Sequence, residues 1–311
     1  MSPLRTLTAV LLGTAGACCW IVSVDAADLI VDQGTIVQPD TQLPAVSGIN
    51  GKWEFDPGLL TGGGLIRGAG SLSVPLGDRF GLQGDVMGTW TSTNGFIYSG
   101  ALHAFTRDPE RYLAGLTGGI VVSPQATLAA FGPEGELYLD NFSLEAWGGF
   151  ANLNYVDPAM LDKTGVFAIG DLAYYATPDW RFTVGGSYVL GDLSVHGGTE
   201  YMFHGLGMPL SATADARLHN NGSYTFTVGL KGYFGGSDDG KSLIDRQRQD
   251  DPPNRAIDLF TAAGSQMFDT PPAGPTYTDP EQSAEACLYF GGTPIYDGES
   301  NFDFCNMNSP A

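Results

Sequence analysis

Residues 224–236 read YTFTVGLKGYFGG. Tyr224, Phe226, Val228, Leu230 and Phe234 recur at every second position, with Thr225, Thr227, Gly229 and Lys231 between them. Successive side chains of a strand point to opposite faces, so this period of two predicts a strand with one apolar and one polar face. Another 75 residues follow Gly236, and the strand is therefore followed by an appended segment.

Working upstream, the same alternation continues almost without interruption. Ile66, Leu72 and Val74 alternate with Arg67, Ser71 and Ser73, and Phe80, Leu82, Val86 and Trp90 alternate with Arg79, Gln83, Asp85 and Thr89. Phe142, Leu144 and Ala146 oppose Ser143 and Glu145, and Phe182, Val184 and Tyr188 oppose Arg181, Thr183 and Ser187. With a less regular run over residues 126–139, the pattern predicts about twelve strands of roughly ten residues, the length a tilted membrane-crossing strand requires. Turn chemistry separates them, as in Gly77-Asp78, Asp140-Asn141, Pro178-Asp179 and Asn220-Asn221-Gly222. The longest links are expected at 157–165 and 57–62.

Residues 1–26 read as an export signal, with Arg5 ahead of a mostly apolar run from Leu7 to Val24 and small residues up to Ala26. Cys18 and Cys19 raise the alternative of a lipid-modified cysteine, but Ala15-Gly16-Ala17 lacks the large aliphatic residue such a site carries. No later stretch reaches the ~20 apolar residues of a spanning helix. Charged residues make up 15% of the chain, glycine supplies 44 of 311 residues, and the net charge is −20. Such a charge argues against nucleic acid as a partner. Residues 47–234 hold 17 acidic and 9 basic residues, net −8, whereas 235–311 hold 13 and 4, net −9 over far fewer positions. The expected organisation is a signal at 1–26, an irregular lead-in at 27–46, a sheet domain at 47–234 and an acidic extension at 235–311.

A soluble β-sandwich also alternates, but it exposes charged outer faces. Here the polar faces are mainly Gly, Ser and Thr, and aromatics (Trp53, Trp90, Phe96, Tyr98, Phe142, Trp180, Phe234) cluster near strand ends, where an interfacial girdle lies. An all-β, antiparallel transmembrane barrel of about twelve strands is the expectation. With its export signal, its strand rhythm and the closing GLKGYF at 229–234, the chain resembles the outer-membrane β-barrel proteins of Gram-negative bacteria, in the porin-like class. Gly232 stands where that class usually has an aromatic. The resemblance implies outer-membrane lipid and the barrel assembly machinery as partners, both barrel ends on the periplasmic side, and an extension in the periplasm.

In such a barrel the inward positions carry Lys52, Glu54, Arg67, Asp85, Glu145, Asp171, Arg181, Glu200, Asp215, Arg217 and Lys231. Five cations against six anions would give a passive channel for small solutes little selectivity, or would cross-link into a polar plug. His103, His196 and His204 fall on the polar face and His219 in a turn. None forms a local nucleophile-and-base signature, so no catalytic residues are expected. His196, Glu200 and His204 lie about 13 Å apart at each four-residue step, too far to share a metal ion, and no cofactor is expected. Gly62-Gly63-Gly64 and Gly118-Gly119 read as sheet curvature. Beyond Ser237 the alternation stops. Residues 256–268 are expected to form a short helix, Cys287 and Cys305 a disulfide, and the remainder a largely solvated extension, with a lumen plug as the alternative. The functional expectation is a porin-like channel or a structural envelope component. A lipid-modifying barrel enzyme and a soluble periplasmic binding sandwich are the alternatives.

Overall fold

A computed structural model describes residues 43–205, 208–236, 240–268, 283–289, 293–297 and 301–306; the expected export signal and most of the lead-in lie outside these residues. Twelve strands follow one another: β1 (Asn50–Leu60), β2 (Gly63–Leu76), β3 (Phe80–Thr91), β4 (Gly95–Asp108), β5 (Tyr112–Val122), β6 (Ala126–Leu139), β7 (Phe142–Tyr155), β8 (Lys163–Thr177), β9 (Trp180–Val189), β10 (Asp192–Phe203), β11 (Leu210–His219) and β12 (Tyr224–Gly235). Each pairs antiparallel with its neighbour in sequence, and β1 closes onto β12, giving a closed barrel rather than a sandwich. Closure satisfies every strand edge, which lets a sheet cross a bilayer without orphaned backbone groups.

The outer wall is built from the apolar side of each alternation. On β12, Tyr224, Phe226, Val228, Leu230 and Phe234 all face outward. Outward aromatics gather toward the two rims. Phe142 lies 4.9 Å from Tyr174, and Trp180 lies 4.8 Å from Phe182 and 6.1 Å from Tyr201, at the rim where β1 begins and β12 ends. Phe96 and Tyr98 stack at the opposite rim. Below, these are the proximal and distal rims. The proximal links are short turns such as Asp140-Asn141, while the longest distal link spans 156–162, between β7 and β8.

Two sequence expectations need correction. The link expected over 57–62 shrinks to Thr61-Gly62, because Pro57 continues β1 and pairs with Ile66. His219 is the last residue of β11, not a turn residue, and its side chain is buried. The blurred alternation over 126–139 also has a cause: Ala126, Leu128 and Ala130 point inward while Phe131, Leu137 and Leu139 point outward, so β6 is apolar on both faces over part of its length.

The segment after β12 does not run out into solvent. It re-enters the barrel at the proximal rim as α1 (Leu243–Gln249), continues as α2 (Arg255–Ala263) and ends in a 3₁₀ turn, Gly264–Phe268. The expected helix over 256–268 is thus two helical types joined at Gly264. Further on, α3 (Ala284–Tyr289), β13 (Thr293–Tyr296) and β14 (Phe302–Asn306) form a small unit. The Cys287–Cys305 disulfide staples it, with Cα atoms 5.4 Å apart.

Candidate functional site: a lumen shared with the chain's own tail

The path of the tail can be followed bond by bond. At the proximal rim the backbone N–H of Leu243 donates to Asp179 Oδ1 (3.1 Å) and that of Ile244 to the carbonyl of Pro178 (3.0 Å), both in the β8–β9 turn. Asp250 accepts from Ser47 Oγ and from Lys241 Nζ, each at 2.6 Å. Deeper in, the Ala256 carbonyl accepts from Ser99 Oγ (2.9 Å). At the distal rim, Gln266 Nε2 donates to the carbonyl of Val189 (2.6 Å), and Lys163 Nζ donates to Gln266 Oε1 (3.1 Å). Ser123 Oγ, in the β5–β6 link, donates to the carbonyl of Met267 (3.1 Å). Residues 243–268 therefore traverse the whole lumen.

The sequence of α2 explains how it is held. Ala256, Leu259, Phe260 and Ala263 recur with helical spacing on one face, and Ile257, Asp258 and Thr261 occupy the other. Asn254 caps the helix, its Oδ1 accepting from the N–H of Ile257 (3.1 Å), and its Nδ2 donates to Ser71 Oγ on the wall (3.1 Å). The apolar face of α2, together with Met267, packs against Met87, Ile97, Val121, Leu128, Trp147 and Phe167. Burying side chains the size of Leu259, Phe260 and Met267 is worth roughly 1.5–3 kcal/mol each, more than a typical neutral hydrogen bond of the tail at about 1 kcal/mol. Gly118-Gly119, expected as sheet curvature, has a second role here. A Cβ on Gly119 would stand 3.2 Å from Leu259 Cδ2 and 3.4 Å from the Trp147 ring, so the missing side chain is what lets the helix approach β5. Gly264, at φ 55°, ends α2 where any side chain would collide with Asp192 and His219.

Ahead of this apolar contact lies a buried charged cluster. His103 is wholly enclosed, its Nε2 2.7 Å from Asp85 Oδ2 and its Nδ1 2.9 Å from Glu134 Oε1. Carboxylates only accept, so with both ionised the ring donates from both nitrogens. The tail completes the cluster: the N–H of Arg255 donates to Asp85 Oδ2 (2.8 Å) and its Nε to Glu134 Oε2 (3.3 Å), while Nη1 reaches Asp258 on the next turn of α2 (2.8 Å). Without Arg255, two buried carboxylates would share one imidazole.

Across the helix, a cavity of about 170 Å³ separates the polar face of α2 from the wall formed by β6–β12, β1 and β2. Ten of the eleven inward candidates line it, and Asp85 lies apart, in the His103 cluster. Within the cavity wall, Arg181 Nη2 donates to Glu145 (2.6 Å), Arg67 Nε to Asp56 (3.1 Å), and Lys231 Nζ to Glu200 (3.1 Å) with Glu54 at 3.5 Å. His196 Nε2 meets Asp171 at 2.7 Å, Arg217 Nη1 donates to Ser194 Oγ (2.8 Å), and Lys52 Nζ donates to the carbonyl of Pro252 (2.5 Å). Asp215 lines the cavity near α2. Thus Lys52 and Asp85 bond the tail directly, and so does Glu200, which accepts from Gln247 Nε2 (3.2 Å) as well as from Tyr233.

The remaining histidines also pair with carboxylates, His204 with Asp179 (2.8 Å) and His219 with Asp192 (2.9 Å). His103, His196 and His219 all lie inside the barrel, away from the lipid-facing wall on which a lipid enzyme would work. The sequence reading missed several members of the site. Asp56 shares the face of Lys52 and Glu54, one residue before the expected link, and is not among the inward candidates. Glu134 and Glu136 sit on the face of Leu128 and Ala130, where the alternation blurs. Tyr175 and Tyr233 point inward, Tyr175 OH donating to Gln247 (2.6 Å) and the Tyr233 ring lying beneath Arg246. A usable signal was present: large apolar or aromatic residues recurring on the polar face of strands β3–β9.

No family model matches the chain, and no curated protein matches it in sequence. Among solved structures it is similar to the KdgM porin (11% identity, TM-score 0.44, covering 59% of this chain and 99% of that one). It is also similar to the NanC porin (9%, 0.44, 57% and 98%) and to the CymD monoaromatic hydrocarbon channel (9%, 0.36, 62% and 89%). At such identities and scores, the functional reading rests on the chain's own residues.

Proposed function

We propose that the protein is an outer-membrane β-barrel acting as a narrow, porin-like passive channel, whose lumen is constricted by its own segment 243–268. The observation that carries this reading is the pairing of a lipid-compatible outer wall with a charged cavity beside the plug. Charges of both signs line that cavity, which fits small solutes and little ionic selectivity. Ten of the eleven wall residues act as its lining; Lys52 and Glu200 among them also seat the plug, as does Asp85 beside His103. The outer wall meets outer-membrane lipid, and the strand rhythm ending at Phe234 is what the assembly machinery reads. By the convention of the class, the proximal rim faces the periplasm.

The test is conductance in a planar bilayer of the full chain and of a chain ending at Gly236. We expect small unitary currents from the full chain and currents about tenfold larger or more once the plug is gone, since a twelve-stranded lumen is wider than side chains alone fill. Silence from both would overturn the channel and leave a structural envelope role.

A further inference from the structure

The tail enters at one rim and stops at the other. Leu243 and Ile244 are bonded to the β8–β9 turn at the proximal rim, while Gln266 and Met267 are bonded to Val189 and Ser123 at the distal rim. The chain then continues for fourteen residues, four of them proline, to the disulfide-stapled unit of α3, β13 and β14. To reach the proximal side again it would have to recross the barrel. A crossing of ~25 Å takes about eight extended residues at ~3.3 Å each. Even as glycine, these would bring about 32 non-hydrogen atoms into a cavity of about 170 Å³, room for on the order of ten waters. Recrossing through lipid would leave backbone polar groups unsatisfied.

We propose that the barrel displays the unit at 283–306 on the membrane face opposite the two ends of its sheet. Given the outer-membrane reading above, on which the direction rests, that face is the cell exterior. The plug is then also a stalk: its buried face fixes the segment in the lumen, and the residues beyond it are held outside. The displayed portion carries its own covalent staple, with Cys287 buried, as suits a unit too small to rely on a hydrophobic core. Residues 269–311 include seven acidic residues and no lysine or arginine, so the charge it displays is entirely negative. This reverses the periplasmic location expected for the extension.

Two epitope tags placed in the full-length chain test the idea, one in the β7–β8 link at 156–162 and one after Ala311, read by antibody binding to intact and permeabilised cells. A slower-migrating band on boiling serves as the folding control. Both tags accessible on intact cells, with signal rising less than twofold on permeabilisation, is the expected result. A link tag accessible on intact cells with a terminal tag detected only after permeabilisation overturns the display while leaving the outer-membrane barrel standing. Neither tag accessible, with the protein in the soluble fraction, overturns the outer-membrane reading itself and the display with it.

Discussion

Two walls of the same lumen face the same helix and treat it in opposite ways. On the side of β3–β8, Met87, Ile97, Val121, Leu128, Trp147 and Phe167 join Leu259 and Phe260 in one buried apolar cluster. On the side of β9–β12, β1 and β2, with Glu145 of β7 and Asp171 of β8 reaching in, charged side chains pair with one another along a cavity that borders the polar face of α2. A wall that only had to bound an aqueous pore would have no use for buried tryptophan and phenylalanine. A wall that only had to grip a plug would not keep ten charged residues beside it. The difference shows that holding the tail and keeping a polar path are divided between opposite sides of one barrel.

The comparison can be broken most severely at the junction of the two walls. Arg255→Ala removes the cation that balances Asp85 and Glu134, and stranding buried charge costs roughly 3–5 kcal/mol. The plug should leave, with conductance approaching that of the chain ending at Gly236. On the apolar wall, Leu259→Ala should weaken seating by about 2–5 kcal/mol, enough to shift the closed-to-open ratio thirtyfold or more; bilayer recordings should show bursts of large current between closed periods.

The charged side offers a gentler test. Smallest of all, Asp215→Asn should leave docking within about 0.5 kcal/mol of the parent and alter only the cation-to-anion permeability ratio, by less than twofold. If Asp215→Asn expelled the plug, the division of labour between the walls would be wrong.

Much of this molecule was legible in its residues. The period of two that begins at Trp53 and closes with YTFTVGLKGYFGG determined the strands, their number and their outward faces, because a strand's side-chain direction is set locally by the pleat. The inward charges followed by parity, and the pairing of Cys287 with Cys305 followed from their being the last two cysteines of the chain. The boundary near Gly235 was written in the change of composition. What alternation could not convey is which partner an inward side chain would meet. Leu128, Trp147 and Phe167 merely blur the pattern when β6, β7 and β8 are read alone, and RAIDLFTAA is an amphipathic helix with no stated address. Only closure of the barrel brings that apolar patch and that helix face together, and it sets Arg255 between carboxylates more than a hundred residues away in the chain. Burial of this kind depends on contacts distant in sequence, so the tertiary structure alone decided that the tail belongs inside the lumen.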